Sequence, residues 1–173
     1  MRVSDFDYPL PDELIAQTPL AERSSSRLLV VGEARERHLH FSDLVDELND
    51  DDLLVVNDTR VLKARLAARK DTGGAAEVLL ERVESEFVAL CQVRVSKTLQ
   101  PGRSLQLGQN GADTLTLIDR AGEFFRLSFS RPVLDVLDDY GEMPLPPYID
   151  PATAEAAEPA EQRYQTVYAS APG

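Results

Sequence analysis

Four stretches decide the fold: Glu77-Val-Leu-Leu-Glu-Arg-Val83, Phe87-Val-Ala-Leu-Cys-Gln-Val-Arg-Val95, Thr114-Leu-Thr-Leu-Ile-Asp119 and Phe124-Phe-Arg-Leu-Ser-Phe-Ser130. Each is a short run of alternating or continuous apolar residues rich in Val, Leu, Ile, Thr and Phe, the pattern of a half-buried strand. Ser104–Leu107 adds a fifth candidate. Pro101-Gly102, Asn110-Gly111 and Ala121-Gly122 fall between these runs and supply turn chemistry. Five or six short strands at this spacing predict a small antiparallel barrel or sandwich. Pro132 then opens a helix whose Val133, Leu134, Leu137 and Tyr140 share one side and which closes at Gly141.

Upstream the texture is mixed α/β. Pro11 suits the first turn of a short helix, with Asp12 and Glu13 at its positive end, and Pro19 stops it. Arg27-Leu-Leu-Val-Val31 reads as a strand. Ser42 is a candidate cap for a helix over Asp43–Asn49, with Leu44, Val45 and Leu48 as its buried stripe. Leu53-Leu-Val-Val56 is a continuous apolar run, the pattern of a strand buried on both faces. Only two good strands precede Arg65, too few for a complete open sheet. Residues 150–162, rich in Ala, Glu and Pro, read as a mobile loop.

The 173 residues carry 43% hydrophobic and 28% charged side chains, enough to build a core without disulfides. No apolar run reaches the roughly 18 residues needed to span a bilayer, and the N-terminus lacks a signal-peptide core. A single cysteine, Cys91, excludes an internal disulfide and fits a reducing compartment. The expectation is a soluble cytoplasmic protein. Its formal charge is −12, which taken whole opposes attraction to nucleic acid. The charge is uneven, however. Residues 41–59 hold seven acids and no base, whereas residues 60–70 hold five bases and no acid.

Chemistry concentrates in a few places. Asn57-Asp58-Thr59-Arg60 follows the apolar run directly, at a strand's carboxyl end, where α/β sheets bind ligands. Its side chains can meet ribose hydroxyls or base edges, and Arg60 can fork onto a carboxylate or phosphate. Alternatively, the tetrapeptide is an Asx-type turn capping a following element. If residues 60–70 are helical, Lys63 and Lys70 lie near one face and Arg65 and Arg69 are i,i+4 neighbours, a stripe suited to phosphate. The competing reading is a solvated face neutralised by the acidic stretch beside it. His38 and His40 share one strand face without a third metal ligand, so no metal is expected. Cys91 reads as a small packed hydrophobe. Gly141-Glu-Met-Pro-Leu-Pro-Pro-Tyr-Ile149 forms a stiff apolar wall able to stack a base, or else a linker. Tyr164 and Tyr168, four apart, read as core residues on one helical face. Dinucleotide fingerprints, phosphate loops and nucleophile elbows are absent from the sequence.

Taken in order, several segments resemble one family. They are Asp5-Phe-Asp-Tyr-Pro-Leu-Pro with Leu14-Ile-Ala-Gln17, Arg23 and Arg27-Leu-Leu-Val30; His38-x-His-Phe41; and Asp52-Leu-Leu-Val-Val-Asn-Asp-Thr-Arg-Val61 with Ala64-Arg-Leu66. Gly74-x-x-Glu77-Val-Leu-Leu80, Ser96-Lys97, the Gly141–Ile149 block and Tyr164-Gln-Thr-Val-Tyr-Ala169 continue the series. The chain is similar throughout its length to the S-adenosylmethionine:tRNA ribosyltransferase-isomerases of queuosine biosynthesis.

That resemblance implies an enzyme that moves the ribosyl part of S-adenosylmethionine onto 7-aminomethyl-7-deazaguanine at the wobble position of tRNA. The product is epoxyqueuosine, with adenine and methionine released. It implies S-adenosylmethionine as co-substrate, no metal, tRNA as partner, no membrane and a monomer. The implied fold is α+β (mixed α/β): a partial α/β domain over residues 1–66, an inserted small antiparallel β-barrel over 67–145, and a return to the α/β domain over 146–173. Family members are about twice as long, so the chain is expected to be an incomplete N-terminal portion without catalysis of its own. The residues expected to act are Asp58 as the catalytic candidate, Asn57 and Thr59 facing the sugar or base, and Arg60 and Arg65 holding phosphate or the methionine carboxylate. Glu77 is a further binding candidate, and Pro146 and Tyr148 wall the purine. The alternatives are a non-catalytic RNA-binding barrel and an inactive fragment.

Overall fold

The computed structural model describes residues 1–32, 35–150 and 163–172. They form two compact units, one of residues 1–58 with 146–168 and the other of residues 59–145 with 169–173.

The second unit is built on a closed antiparallel barrel. Its strands are β4 (Arg65–Lys70), β5 (Ala75–Ser85), β6 (Val88–Val95), β7 (Ser104–Leu107), β8 (Asp113–Ala121) and β9 (Phe124–Phe129). They pair in the order β4-β5-β6-β9-β8-β7, and β7 returns to β4 through Arg69↔Gln106 and Lys70↔Leu105. Two sheet edges thereby cover each other. Bulges between Leu80 and Arg82 and between Leu117 and Asp119 bend the long strands enough to close. Alternation decides what fills the inside: Leu66 and Ala68, Ala76 and Val78, Leu115 and Leu117, and Phe125, Leu127 and Phe129 are all buried. Burying each large apolar side chain contributes about 1.5–3 kcal/mol.

Helix α1 (Val133–Tyr140) plugs the barrel, with Val133, Val136 and Leu137 buried among the core residues. Leu134, expected on that side, is 53% exposed. The i, i+3, i+4, i+7 period counted from Val133 selects Val136 and rotates Leu134 outward. Gly141 ends the helix, with φ at −71°, so conformation does not demand glycine there. Space does. A Cβ at Gly141 would stand 2.3 Å from both the Leu137 and Lys63 carbonyl oxygens. Directly after it, β10 (Gly141–Glu142) pairs with the first residues of β4.

The basic run 60–70 is not a helix. Thr59–Arg60 form β3, which pairs in parallel with β11 (Ala171–Pro172), and Arg65–Lys70 form β4. The Leu66 and Ala68 positions go inward, so the i,i+4 stripe becomes an outward row of Arg65, Ala67 and Arg69.

In the first unit, β1 (Arg27–Val31) and β2 (Glu36–His40) form an antiparallel hairpin. Short 3₁₀ turns cover Val3–Phe6, Asp12–Leu14, Arg23–Ser25 and Phe41–Glu47. The helix expected over Asp43–Asn49 is the last of these turns. His40 rather than Ser42 is its N-cap, its N–H donating to Asp43 Oδ2 at 2.9 Å, and Val45 is 78% exposed. Leu53–Val56 is not a strand, and all four side chains are exposed. A strand buried on both faces needs a sheet to join and a layer packed on each side, and no described residue pairs with this segment. Tyr164 and Tyr168 are exposed and share no helix, because a turn occupies Val167 and Tyr168. The loop expected at 150–162 lies outside the described residues from 151 onward.

Gly141→Ala is expected to lower stability by about 1–3 kcal/mol, the usual cost of overpacking, read as a fall in thermal midpoint. Cys91 is fully buried on β6, and burial pushes its thiol up to about 12. It is expected to resist alkylation at neutral pH and to react at once in denaturant, as judged by mass spectrometry.

Candidate functional site

Of the residues singled out from sequence, the barrel brings Arg65 and Glu77 together. They leave adjacent strands on the outward side, where Ala67 lies opposite Glu77 and Glu77 lies opposite Arg94. Arg65 Nε is 4.0 Å from Glu77 Oε2, and Arg94 Nη1 is 3.7 Å from Glu77 Oε1. One carboxylate thus stands between two guanidiniums. Arg65 Nη2 also donates to the Leu145 carbonyl at 3.3 Å, which pins the side chain. Its Nε is shielded from solvent and has no hydrogen-bond acceptor among the described residues. Ala67 and Ala75, on the same outward side as Arg65 and Glu77, keep the floor shallow, and Glu142 from β10 adds a second carboxylate. The resulting open groove has a volume of about 560 Å³. Alternating signs over a small-residue floor can receive a charged group whose anionic end meets arginine and whose cationic end meets glutamate.

The other candidates are placed as follows. Thr59 and Arg60 are exposed on β3. Asn57 and Asp58 are exposed at the end of the first unit's leading segment. Pro146 is half-buried and Tyr148 is 60% exposed, both in the first unit. Gln17 holds this stretch: its Nε2 donates to the Tyr148 carbonyl at 2.9 Å, and its Oε1 accepts the Asp150 N–H at 2.8 Å. Arg23 donates to the Arg163 and Gln165 carbonyls, and Arg163 donates in return to those of Leu20 and Ala21. Gln17 and Arg23 are therefore backbone clamps within that unit. His38 and His40 are exposed on β2, and no group of three or more potential metal ligands occurs among the described residues.

Sequence reading missed Arg94, whose part in the groove depends on strand register, and it missed a buried ionic cluster. Asp113 is the one buried charged residue noted among the described residues. It accepts hydrogen bonds from Ser130 Oγ at 2.7 Å, Arg131 Nε at 3.1 Å and Tyr140 Oη at 3.0 Å. Arg131 also reaches Asp139 at 2.6 Å. The Ser130 hydroxyl, then Arg131 and Tyr140, hold the Asp113 carboxyl below the usual carboxylate range, and the same contact raises the Tyr140 phenol. Only the adjacent-residue pattern Ser130-Arg131 hinted at it. All its partners lie in the same unit, tying β8 to α1, and the arrangement is a structural lock.

A family model described as queuosine biosynthesis protein matches residues 3–173. The chain belongs to that family. It is 52% identical over 175 residues to the S-adenosylmethionine:tRNA ribosyltransferase-isomerase of Azoarcus sp., covering 100% of this chain and 49% of the relative. It is 51% identical over 173 residues to the protein of the same description from Herminiimonas arsenicoxydans, covering 99% of this chain and 49% of that one. A crystal structure of S-adenosylmethionine tRNA ribosyltransferase from Thermotoga maritima shares 32% identity over 79% of this chain and 49% of its own, with a TM-score of 0.40. The chain thus spans about half the length of the curated relatives it matches.

The Asp113 lock has a pH signature. Because the folded carboxyl titrates below its unfolded value of about 3.9, its stabilisation is complete above that pH and is lost as pH falls through the folded value. Asp113→Asn is expected to cost about 2 kcal/mol at pH 7, with the gap to the parent closing as both are acidified below the unfolded value of about 3.9, measured by denaturant titration.

Proposed function

We propose that this chain acts in the transfer and isomerisation of the ribosyl group of S-adenosylmethionine onto 7-aminomethyl-7-deazaguanine in the tRNA anticodon loop. The observation that carries this reading is identity of about half over the whole chain with proteins described as S-adenosylmethionine:tRNA ribosyltransferase-isomerases. The sulfonium acidifies the adjoining ribose 5′ carbon and also serves as a leaving group. A base removes that proton, elimination breaks the C4′–O4′ bond, and the ring oxygen becomes a carbonyl at C1′ as adenine leaves carrying a proton. The aminomethyl nitrogen, losing a proton, then adds at C4′, the C5′ carbanion so formed bonds to C1′, and the C1′ alkoxide displaces methionine from C5′ to close the epoxide.

In this reading Asp58 is the candidate for proton transfer, and Asn57 and Thr59 contact the sugar or base. Arg60 and Arg65 hold phosphate or the methionine carboxylate. Glu77, standing between Arg65 and Arg94, supports this by giving the methionine ammonium a partner. Pro146 and Tyr148 wall the purine, which the exposed Tyr148 ring is free to do. The domain organisation belongs to the same proposal: an α/β host over 1–66 and 146–173 interrupted by a barrel over 67–145. The parallel pairing of β3 with β11 joins residues on either side of the barrel in sequence, as an insertion requires, with both strands grouped in the barrel unit. The single buried cysteine and the lack of a long apolar helix among the described residues suit a cytoplasmic site of action. S-adenosylmethionine serves as co-substrate, with no resident metal in the scheme.

The test is adenine release with tRNA carrying the aminomethyl base. In a protein of the relatives' full length bearing this chain's sequence, Asp58→Ala is expected to slow release by about 10²–10⁴-fold, the usual worth of a proton-transfer residue. Unchanged turnover removes Asp58 from that role. If the 173-residue chain binds tRNA without releasing adenine, its own part is that of a binding module.

A further inference from the structure

The charge of the barrel is polarised by its register. Residues 65–77 and 94–103 with Glu142 contain six cations, Arg65, Arg69, Lys70, Arg94, Lys97 and Arg103, against the three carboxylates of Asp71, Glu77 and Glu142. The remaining barrel segments, 78–93 and 104–141, hold four cations against nine carboxylates. The whole-chain value of −12 conceals this reversal.

Pairing collects the cations. Arg69 lies opposite Ala75 and Gln106, Glu77 lies opposite Arg94, and Lys70 Nζ donates to the Lys97 carbonyl at 3.0 Å. Arg103 reaches Asp71 at 3.1 Å across the same end. Arg69 and Lys97 are exposed and make no side-chain ion pair among the described residues, and the Arg94 side chain is 83% exposed. Its contact with Glu77 is long and solvated, so it withholds little of the guanidinium. Four residues along β4 separate Arg65 from Arg69 by about 13 Å, and two strand spacings place Arg94 about 10 Å to the side. No free phosphate or single carboxylate spans such a track, but successive phosphates of a polynucleotide do. The turns at its end are unobstructed, with no atom within 4 Å of a Cβ built at Gly73 or Gly102.

We infer that this face, running from Arg65 and Arg69 across Arg94 to Lys97, is where the barrel grips the phosphate backbone of RNA. The inference rests on the tRNA reading above and names the surface that meets it. Phosphate contacts position without reading sequence, so the face orients the tRNA and leaves recognition of the base to other residues.

The test is binding of the 173-residue chain to a tRNA transcript by fluorescence anisotropy over roughly 50–300 mM salt. In the Arg69→Ala/Arg94→Ala/Lys97→Ala triple variant, affinity is expected to fall at least about tenfold and the salt slope to shrink by about two to three. The Arg69→Lys/Arg94→Lys variant keeps the charge and is expected to keep the slope, and Arg82→Ala, elsewhere on the barrel, is expected to change neither by much. If the parent binds tRNA and the triple variant binds it equally with the same slope, the face is wrong while the tRNA reading stands. If the parent fails to bind tRNA at the lowest salt, the face on this chain is wrong, and the tRNA reading is decided separately by adenine release in the protein of the relatives' full length. Displacement of tRNA by polyglutamate of equal charge as readily as by unlabelled tRNA overturns RNA as the partner class.

Discussion

The short pairing of β4 with β7 is the constraint on which the rest of the second unit depends. Without it, a six-stranded sheet would leave two open edges and a half-exposed row of leucines. With it, the strands curl until Leu66, Val78, Leu115, Leu117 and Leu127 share one interior. The same contact forces a run of five bases between residues 60 and 70 to be strand rather than helix over its second half. Once Leu66 and Ala68 are claimed by the core, the pleat turns Arg65, Ala67 and Arg69 outward. Core formation therefore sets the face on which the cations stand.

A barrel has two mouths, and a small one is stable only if apolar side chains do not open to water there. Helix α1 covers one with Val133, Val136 and Leu137, and two devices keep it seated. At its C-terminus the absence of a side chain at Gly141 lets the chain pass within van der Waals distance of the Lys63 and Leu137 carbonyls. Beside it, Asp113 gathers a hydroxyl, a guanidinium and a phenol around one carboxylate, so the buried charge is met on several sides. Tyr140 also packs over Gly108, where φ is +73° and a Cβ would stand 3.2 Å from its ring.

The barrel was legible because alternation with period two survives in single sequences when one face is buried and the other wet. Strands at Glu77–Val83, Phe87–Val95, Ser104–Leu107, Thr114–Asp119 and Phe124–Ser130 all reappear within a few residues. The first unit was less legible. Leu53–Val56 has the composition of a central strand, but composition states only a preference to be covered, and among the described residues nothing pairs with it. Stripes such as Leu44, Val45 and Leu48 fail in the same way, since a 3₁₀ turn of seven residues lacks the period that would align them. In the candidate groove, Arg65 and Glu77 were visible as residues, whereas Arg94 was not, because its membership follows from the register of β5 on β6.

By itself the sequence determined the family, through the order of its motifs, and the presence of a small antiparallel barrel, through local hydrophobic alternation. Both are properties of residues near one another in the chain. Tertiary structure decided which charges share a surface, which carboxylate is buried and which glycine is needed for space. Those outcomes depend on strand register and closure, where residues such as Glu77 and Arg94, or Asp113 and Tyr140, meet only after the sheet has curled shut. A net charge of −12 could not reveal a cationic face, since a sum over the chain carries no information about which side of a barrel each term occupies.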